Sequence, residues 1–168
     1  MNTDLRQYVR HSKGFVDSKL CDTLVHEMRT IEFREHEFYN AKTAELGPRS
    51  GLQELSVSWS DCPSKPILWD RLWYAIRDYL EYIDMPWYTS WSGYTPPRFN
   101  KYDEDKKMAL HCDHIHNMFD GERKGIPVLS VLGVLNDDYE GGEFIMFNDT
   151  EIKFDKGDVL VFPSLFLY

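Results

Sequence analysis

The chain has 168 residues, with 28 acidic against 19 basic side chains, a formal net charge of −9, and 42% hydrophobic and 15% aromatic content. That is the length of one domain able to bury its own core, with the composition of an ordinary soluble globular protein. A negative field of this size argues against nucleic-acid phosphates and anionic membrane surfaces as partners, because the basic pairs Lys106-Lys107 and Arg123-Lys124 are short and flanked by acids.

In chain order, Asp17 is placed to cap a helix that carries Leu20, Leu24, Val25 and Met28 on one face. Residues 34–50 are polar and turn-rich, with Gly47-Pro48, and read as a long loop or hairpin. Leu55, Val57 and Trp59 alternate with Glu54, Ser56 and Ser58, the pattern of a half-buried strand. Start signals over 61–64, with Pro66 in the first turn, open a second helix whose stripe is Leu68, Leu72, Ile76, Leu80 and Ile83. Met85-Pro86 ends it. From there the period changes to two. Strands are expected at 98–102, 108–113, 128–135, 143–147, 151–154 and 159–162, separated by Asn136-Asp137-Asp138, Gly141-Gly142, Asn148-Asp149 and Lys156-Gly157-Asp158. The nearly all-apolar run 128–135 reads as a strand buried on both faces. Helices followed by many short strands predict a mainly β fold with N-terminal helices, a helical layer supporting a double-sheet jelly roll. It would form a single domain, 1–168, with the helical layer over about 1–84 and the jelly-roll core over about 85–168.

The most informative stretch is His111-Cys112-Asp113. On a strand, residues two apart share a face. One imidazole and one carboxylate then supply two legs of the 2-His-1-carboxylate triad that holds non-haem Fe(II) and leaves open positions. The third leg is a histidine from elsewhere, and no histidine follows His116. Cys112 should point away from the ligands as a small buried hydrophobe. His114 and His116 repeat the spacing, and solvated positions are preferred over roles supporting the ligands or facing substrate. Trp87, Tyr88, Trp91 and Tyr94 read as core packing, the alternative being a groove for an extended polyproline-type peptide. Asp137, Asp138, Glu140 and Glu143 form an acidic turn, either solvated or selecting a basic peptide by charge. Gly141-Gly142 is a turn that only glycine tolerates rather than a phosphate cradle, since no helix start or P-loop lysine follows. Cys21, Cys62 and Cys112 are odd in number and widely spaced, which argues against a disulfide framework. The opening Met1-Asn2-Thr3-Asp4-Leu5 lacks a signal-peptide signature, and run 128–135 is too short to span a bilayer, so a cytoplasmic location is expected.

Taken in order, Lys101-Tyr102, then His111-Cys112-Asp113, then 131–136, then Gly141-Gly142-Glu143-Phe144, then Lys156-Gly157-Asp158-Val159-Leu160-Val161-Phe162-Pro163-Ser164 resemble the 2-oxoglutarate/Fe(II)-dependent dioxygenases. Within that family they look most like the prolyl 4-hydroxylase group. His-x-Asp alone is a weak signal, but its order before a buried strand, a Gly-Gly-Glu turn and a Lys-Gly-Asp strand is specific. The resemblance covers residue 98 onward well and the N-terminal helices more loosely. It implies a double-stranded β-helix, His111 and Asp113 as metal ligands, and Tyr102 as a hydrogen-bonding partner of 2-oxoglutarate, the alternative for Tyr102 being a core tyrosine. The implied cofactors are Fe(II), 2-oxoglutarate as cosubstrate and O2, with ascorbate a candidate auxiliary. After its Phe-Pro-Ser strand the family continues with a distal histidine and a Lys or Arg that pairs with the far carboxylate of 2-oxoglutarate. This sequence stops at Tyr168 with neither. The expectation is therefore a reading frame that continues, and a jelly roll whose C-terminal strands are missing from this chain.

The function this resemblance implies is hydroxylation of a C–H bond, by analogy a peptidyl proline, coupled to decarboxylation of 2-oxoglutarate to succinate. The expected partner is a peptide or protein substrate, with a small molecule as the alternative, and neither nucleic acid nor membrane. Two other readings stand beside it. One is a non-catalytic jelly-roll binding or structural protein that has lost the metal triad. The other is a cupin-like metal protein that does not use 2-oxoglutarate.

Overall fold

The computed structural model describes residues 4–40, 45–47, 54–84, 93–113, 127–166 and 168. In chain order these form β1 (Arg10–Ser12), α1 (Ser18–Glu27), β2 (Arg34–Glu35), β3 (Phe38–Asn40), β4 (Glu45–Gly47), β5 (Ser56–Ser58), α2 (Lys65–Ile83), β6 (Phe99–Lys101), β7 (Leu129–Gly133), β8 (Phe144–Met146), β9 (Thr150–Ile152) and β10 (Val159–Pro163).

Both helices begin where their local chemistry directs. The Asp17 carboxylate accepts from the backbone N–H groups of Lys19 and Leu20 at 3.0 and 3.2 Å, satisfying two of the donors that a helix start leaves open. α1 buries Cys21 and Leu24. α2 starts after Ser64 with a proline in its first turn and ends at Asp84, which takes a left-handed conformation. Its buried face is Leu68, Ala75, Ile76 and Tyr79, with Leu72, Leu80 and Ile83 packed alongside. Tyr79 is buried because its hydroxyl finds a partner, donating to the Tyr8 carbonyl at 3.0 Å. The proposed stop at Met85-Pro86 lies outside the described residues.

The principal sheet runs β1-β10-β7, antiparallel throughout, and a second runs β2-β5-β6. β3 and β4 form a hairpin, as do β8 and β9. Central strand β10 divides its side chains between two cores, as strand alternation requires. Val159 and Val161 pack against the helices with Leu24, Leu68 and Tyr79. Leu160 and Phe162 face the other way, onto Met146 and Phe144 of β8 and onto Phe154. β7 is registered Ser130 to Phe162 and Leu132 to Leu160, so Ser130 and Leu132 share that second face.

Three expectations are corrected here. Among the described residues the strand buried on both faces is β10, not 128–135: there β7 pairs with β10 alone, and Val128 is 42% exposed. Residues 108–113 form no strand, and their one described backbone pairing is the exchange between His111 and Tyr168. In β5, Leu55 is buried but Trp59 is exposed and Ser58 is buried. β5 is the middle strand of its sheet, and Ser58 is tolerated inside because its hydroxyl donates to the Glu32 carbonyl at 2.6 Å. The first 84 residues also contribute strands as well as helices, β1 entering the principal sheet beside β10.

That N-terminal junction is fastened at the turn before β10. The fully buried carboxylate of Asp158 accepts from His11 Nε2 at 2.8 Å, from the Gly14 and Asp155 amides at 2.9 Å each, and pairs with Lys13 Nζ at 2.9 Å. Gly157 adopts φ +89°, and its carbonyl accepts from the Val16 amide at 2.8 Å. A Cβ there would lie 2.3 Å from the Val16 carbonyl oxygen, which is backbone and cannot swing aside. Gly157→Ala is therefore expected to cost about 2–4 kcal/mol, combining left-handed strain with a steric clash. Urea unfolding checks it, and a variant within 0.5 kcal/mol of wild type, on the order of an inert surface change, would show that this turn relaxes.

Candidate metal centre

β6 delivers Arg98 and Tyr102 to a broad cleft of about 2920 Å³, whose lining also includes His111, Asp113, Ser130, Ser164 and Tyr168. Its back wall is the Ser130–Leu132 face of β7. Reciprocal backbone hydrogen bonds of 2.9 and 3.0 Å between His111 and Tyr168 hold residue 111 extended at the cleft. The His111 and Tyr168 rings lie 4.5 Å apart, and Tyr168 in turn stacks on Phe144 at 5.1 Å.

His111 and Asp113 do come together: His111 Nε2 lies 3.7 Å from Asp113 Oδ1. His111 Nδ1 is 2.9 Å from the Ala109 carbonyl, an acceptor only, so Nδ1 donates there and Nε2 is the ring atom that faces the carboxylate. The other carboxylate oxygen, Oδ2, accepts from the Ser130 hydroxyl at 2.5 Å. Burial pushes the Asp113 carboxyl up, but hydrogen bonds with His111, Ser130 and Tyr168 outweigh it and hold the group below its ordinary value. Tyr168 shows the converse. Burial first, then the Asp113 charge and their shared hydrogen bond, raise its phenol well above the usual range.

An imidazole nitrogen and a carboxylate oxygen facing each other across 3.7 Å are ligand types that suit a borderline divalent cation such as Fe(II). The Ala109 contact is the kind of outer support that fixes a metal-binding histidine's tautomer. Among the described residues no group of three His, Cys, Asp or Glu side chains is assembled for a metal, so these two atoms are the part of a ligand set that the structure describes.

Tyr102 shares the cleft. It is half exposed, and its hydroxyl contacts Met108 Sδ at 3.8 Å. Burial raises its phenol, with the Glu54 and Asp113 charges adding to that and Arg98 opposing it. Cys112 lies between the paired residues and is exposed, a correction to the buried hydrophobe expected there. Residues 108–113 form no strand, so strand alternation does not set the direction of Cys112. Tyr94 stacks on Trp73 at 5.3 Å and meets Trp69 edge-on at 5.7 Å. Its companions Trp87, Tyr88 and Trp91 lie outside the described residues, as do His114, His116, Arg123 and Lys124. In the acidic turn, Asp138 accepts from Asn136 and Asp137 from the Lys156 amide, so these two carboxylates hold the turn itself. Gly141 and Gly142 both take positive φ.

Sequence reasoning missed Ser130 and Ser164 behind the carboxylate, and also Arg98 on the cleft wall with His36 and Glu54 near it. His36 Nε2 lies 3.3 Å from Arg98, and burial together with the Arg98 charge lowers its pKa. These residues reach the site through the β2-β5-β6 pairing, which leaves no local signature. No described helix is long and apolar enough to cross a membrane.

The architecture is the mainly β fold with N-terminal helices expected from the sequence pattern. A crystal structure of a prolyl-4-hydroxylase from Pseudomonas putida matches with a TM-score of 0.60 and 17% identity, over 95% of this chain and 82% of that one. At that identity the likeness is one of fold. In sequence, the chain is 35% identical over 80 residues to a PKHD-type hydroxylase of Stenotrophomonas maltophilia, an alignment covering 45% of this chain and 36% of the relative. Similar proteins occur in Acinetobacter baumannii, 36% identical over 80 residues (44% of this chain, 35% of the relative), and in Xylella fastidiosa, 33% over 90 residues (44% and 36%). Both are likewise named PKHD-type hydroxylases. The chain thus spans about a third of the length of the curated relatives it matches. No protein-family model matches it.

Proposed function

We propose that this chain carries part of the metal centre of an Fe(II)- and 2-oxoglutarate-dependent oxygenase that hydroxylates a C–H bond, with peptidyl proline as the substrate class. The observation that carries the reading is the opposed pair His111 Nε2 and Asp113 Oδ1, each with its remaining polar atom already engaged elsewhere. When bound, Fe(II) with 2-oxoglutarate and O2 supplies the oxidising power for hydroxylation, chemistry that belongs to the cofactor. The protein's share is different. His111 and Asp113 would hold the ion, and Tyr102 is placed in the same cleft to donate a hydrogen bond to the cosubstrate. The open cleft admits an extended peptide. The hydroxylase names of the sequence relatives support hydroxylation in general, and proline is taken by analogy from the name of the Pseudomonas putida enzyme whose fold this chain resembles.

The test is anaerobic calorimetric titration of the product of the complete reading frame with Fe(II) or Mn(II), with and without 2-oxoglutarate. Oxygen and proline-containing peptides are then added, and succinate and hydroxyproline measured. Metal binding that 2-oxoglutarate tightens, with succinate formed one-for-one with hydroxyproline, is the expected result. Absence of metal binding would favour a binding or structural jelly roll. Metal binding without succinate would favour a cupin-like protein.

A further inference from the structure

Ser130 is the one polar side chain in the apolar run 128–135, and it is only 5% exposed. A hydroxyl in that position is costly unless it is hydrogen-bonded. It has two partners: Asp113 Oδ2 at 2.5 Å and the Ser164 hydroxyl at 3.1 Å. A serine has one proton to give. The ionised carboxylate is the stronger acceptor and the closer one, so Ser130 donates to Asp113, and the proton of the longer contact comes from Ser164. Ser164 is fully buried, and its amide donates to the Val128 carbonyl at 3.1 Å. The order is thus Ser164 Oγ–H to Ser130 Oγ–H to Asp113 Oδ2, a relay in which each bond polarises the next.

The two serines lie on or directly beside regular strands, unlike the segment bearing Asp113. Ser130 sits in β7, and Ser164 follows directly on buried β10, whereas residues 108–113 form no strand. Antiparallel register places Ser130 opposite Phe162, on the sheet face turned to the cleft. The sheet thus engages Oδ2 from behind, Tyr168 adds its own hydrogen bond to the carboxylate, and Oδ1 lies 3.7 Å from His111 Nε2.

We propose that Ser130, backed by Ser164, is a positioning residue: it holds the Asp113 carboxylate so that Oδ1 alone is presented to the metal. This rests on the metal-centre reading above. It predicts a specific ranking of Mn(II) affinities in the full-length protein, measured calorimetrically without oxygen or turnover. Ser130→Ala is expected to weaken Mn(II) binding roughly 10- to 100-fold, the range seen when support behind a metal ligand is lost. Ser130→Thr, which keeps the hydroxyl, is expected to stay within roughly 3-fold of wild type, and Ser164→Ala to lose roughly 3-fold. Circular dichroism and thermal melting accompany each variant. If Ser130→Ala does not fold, Ser164→Ala decides, and unchanged affinity there overturns the proposal. If His111→Ala abolishes binding while folded Ser130→Ala binds as tightly as wild type, the positioning role is overturned and the metal centre stands. Binding that ignores His111→Ala overturns both.

Discussion

Replacing His111 or Asp113 with alanine is expected to reduce Mn(II) affinity and Fe(II)-dependent succinate formation at least about 100-fold, while Cys112→Ala leaves both within about 2-fold. The ligand losses should exceed those from supporting residues, because a bond to the ion itself is removed. A regular strand over 108–113 is not required for this arrangement. Residue 111 is held extended by its exchange with Tyr168. Residue 113 is held by Ser130. Cys112, between them, is exposed and makes no contribution to the facing pair. Loss of metal affinity in all three variants alike, with folding intact, would mean the ligands are misassigned.

The parts of this fold legible in the sequence are those whose cause is local. Asp17 before an apolar 3–4 repeat sets the start of α1, and Pro66 sits in the first turn of α2. The turn residues 141–142, 148–149 and 156–158 bracket β8, β9 and β10. Where burial depends on which strand becomes central, the pattern alone fails. The runs 128–135 and 159–162 are both apolar, and only the order β1-β10-β7 makes one an edge and the other a centre. β1 has three residues, all of them polar, so it carries no periodic signal and exists by pairing with β10.

The site divides in the same way. The spacing of His111 and Asp113 was readable because alternation in an extended chain is local physics. What surrounds them was not, since Ser130 looks like an interruption in an apolar strand until register brings it beneath Asp113. Arg98 and His36 are separated by 62 residues and become neighbours only through β2-β5-β6. Polar residues that break an apolar pattern are informative for this reason: the chain tolerates them only where a partner from elsewhere satisfies them.

Asp158→Asn is expected to cost about 2–4 kcal/mol at neutral pH, since a buried carboxylate with several donors would be replaced by an amide that can accept at only one atom. His11, the Gly14 and Asp155 amides and Lys13 all point at that carboxylate, and it fixes β1 to the turn before β10. Burial pushes its pKa up, but the Asp155 and Gly14 amides, then Lys13 and His11, outweigh that and depress it well below the usual carboxylate range. The sign of the pH dependence follows. The unfolded chain takes up a proton on Asp158 near its ordinary value of about 4, whereas the folded chain does so only at lower pH. Its contribution to stability is thus complete above about pH 5 and declines, by at most about 1.4 kcal/mol per pH unit, as pH falls through about 4 toward the folded value. Other carboxylates titrate over the same window, so the quantity to measure is the difference in urea-unfolding free energy between wild type and Asp158→Asn. That difference should be constant from pH 7 to 5 and shrink between pH 4 and 3. A difference that stays flat down to pH 3 would mean that the donors around Asp158 bind its amide as well as its carboxylate, and that the junction owes its strength to packing of β1 on β10 instead.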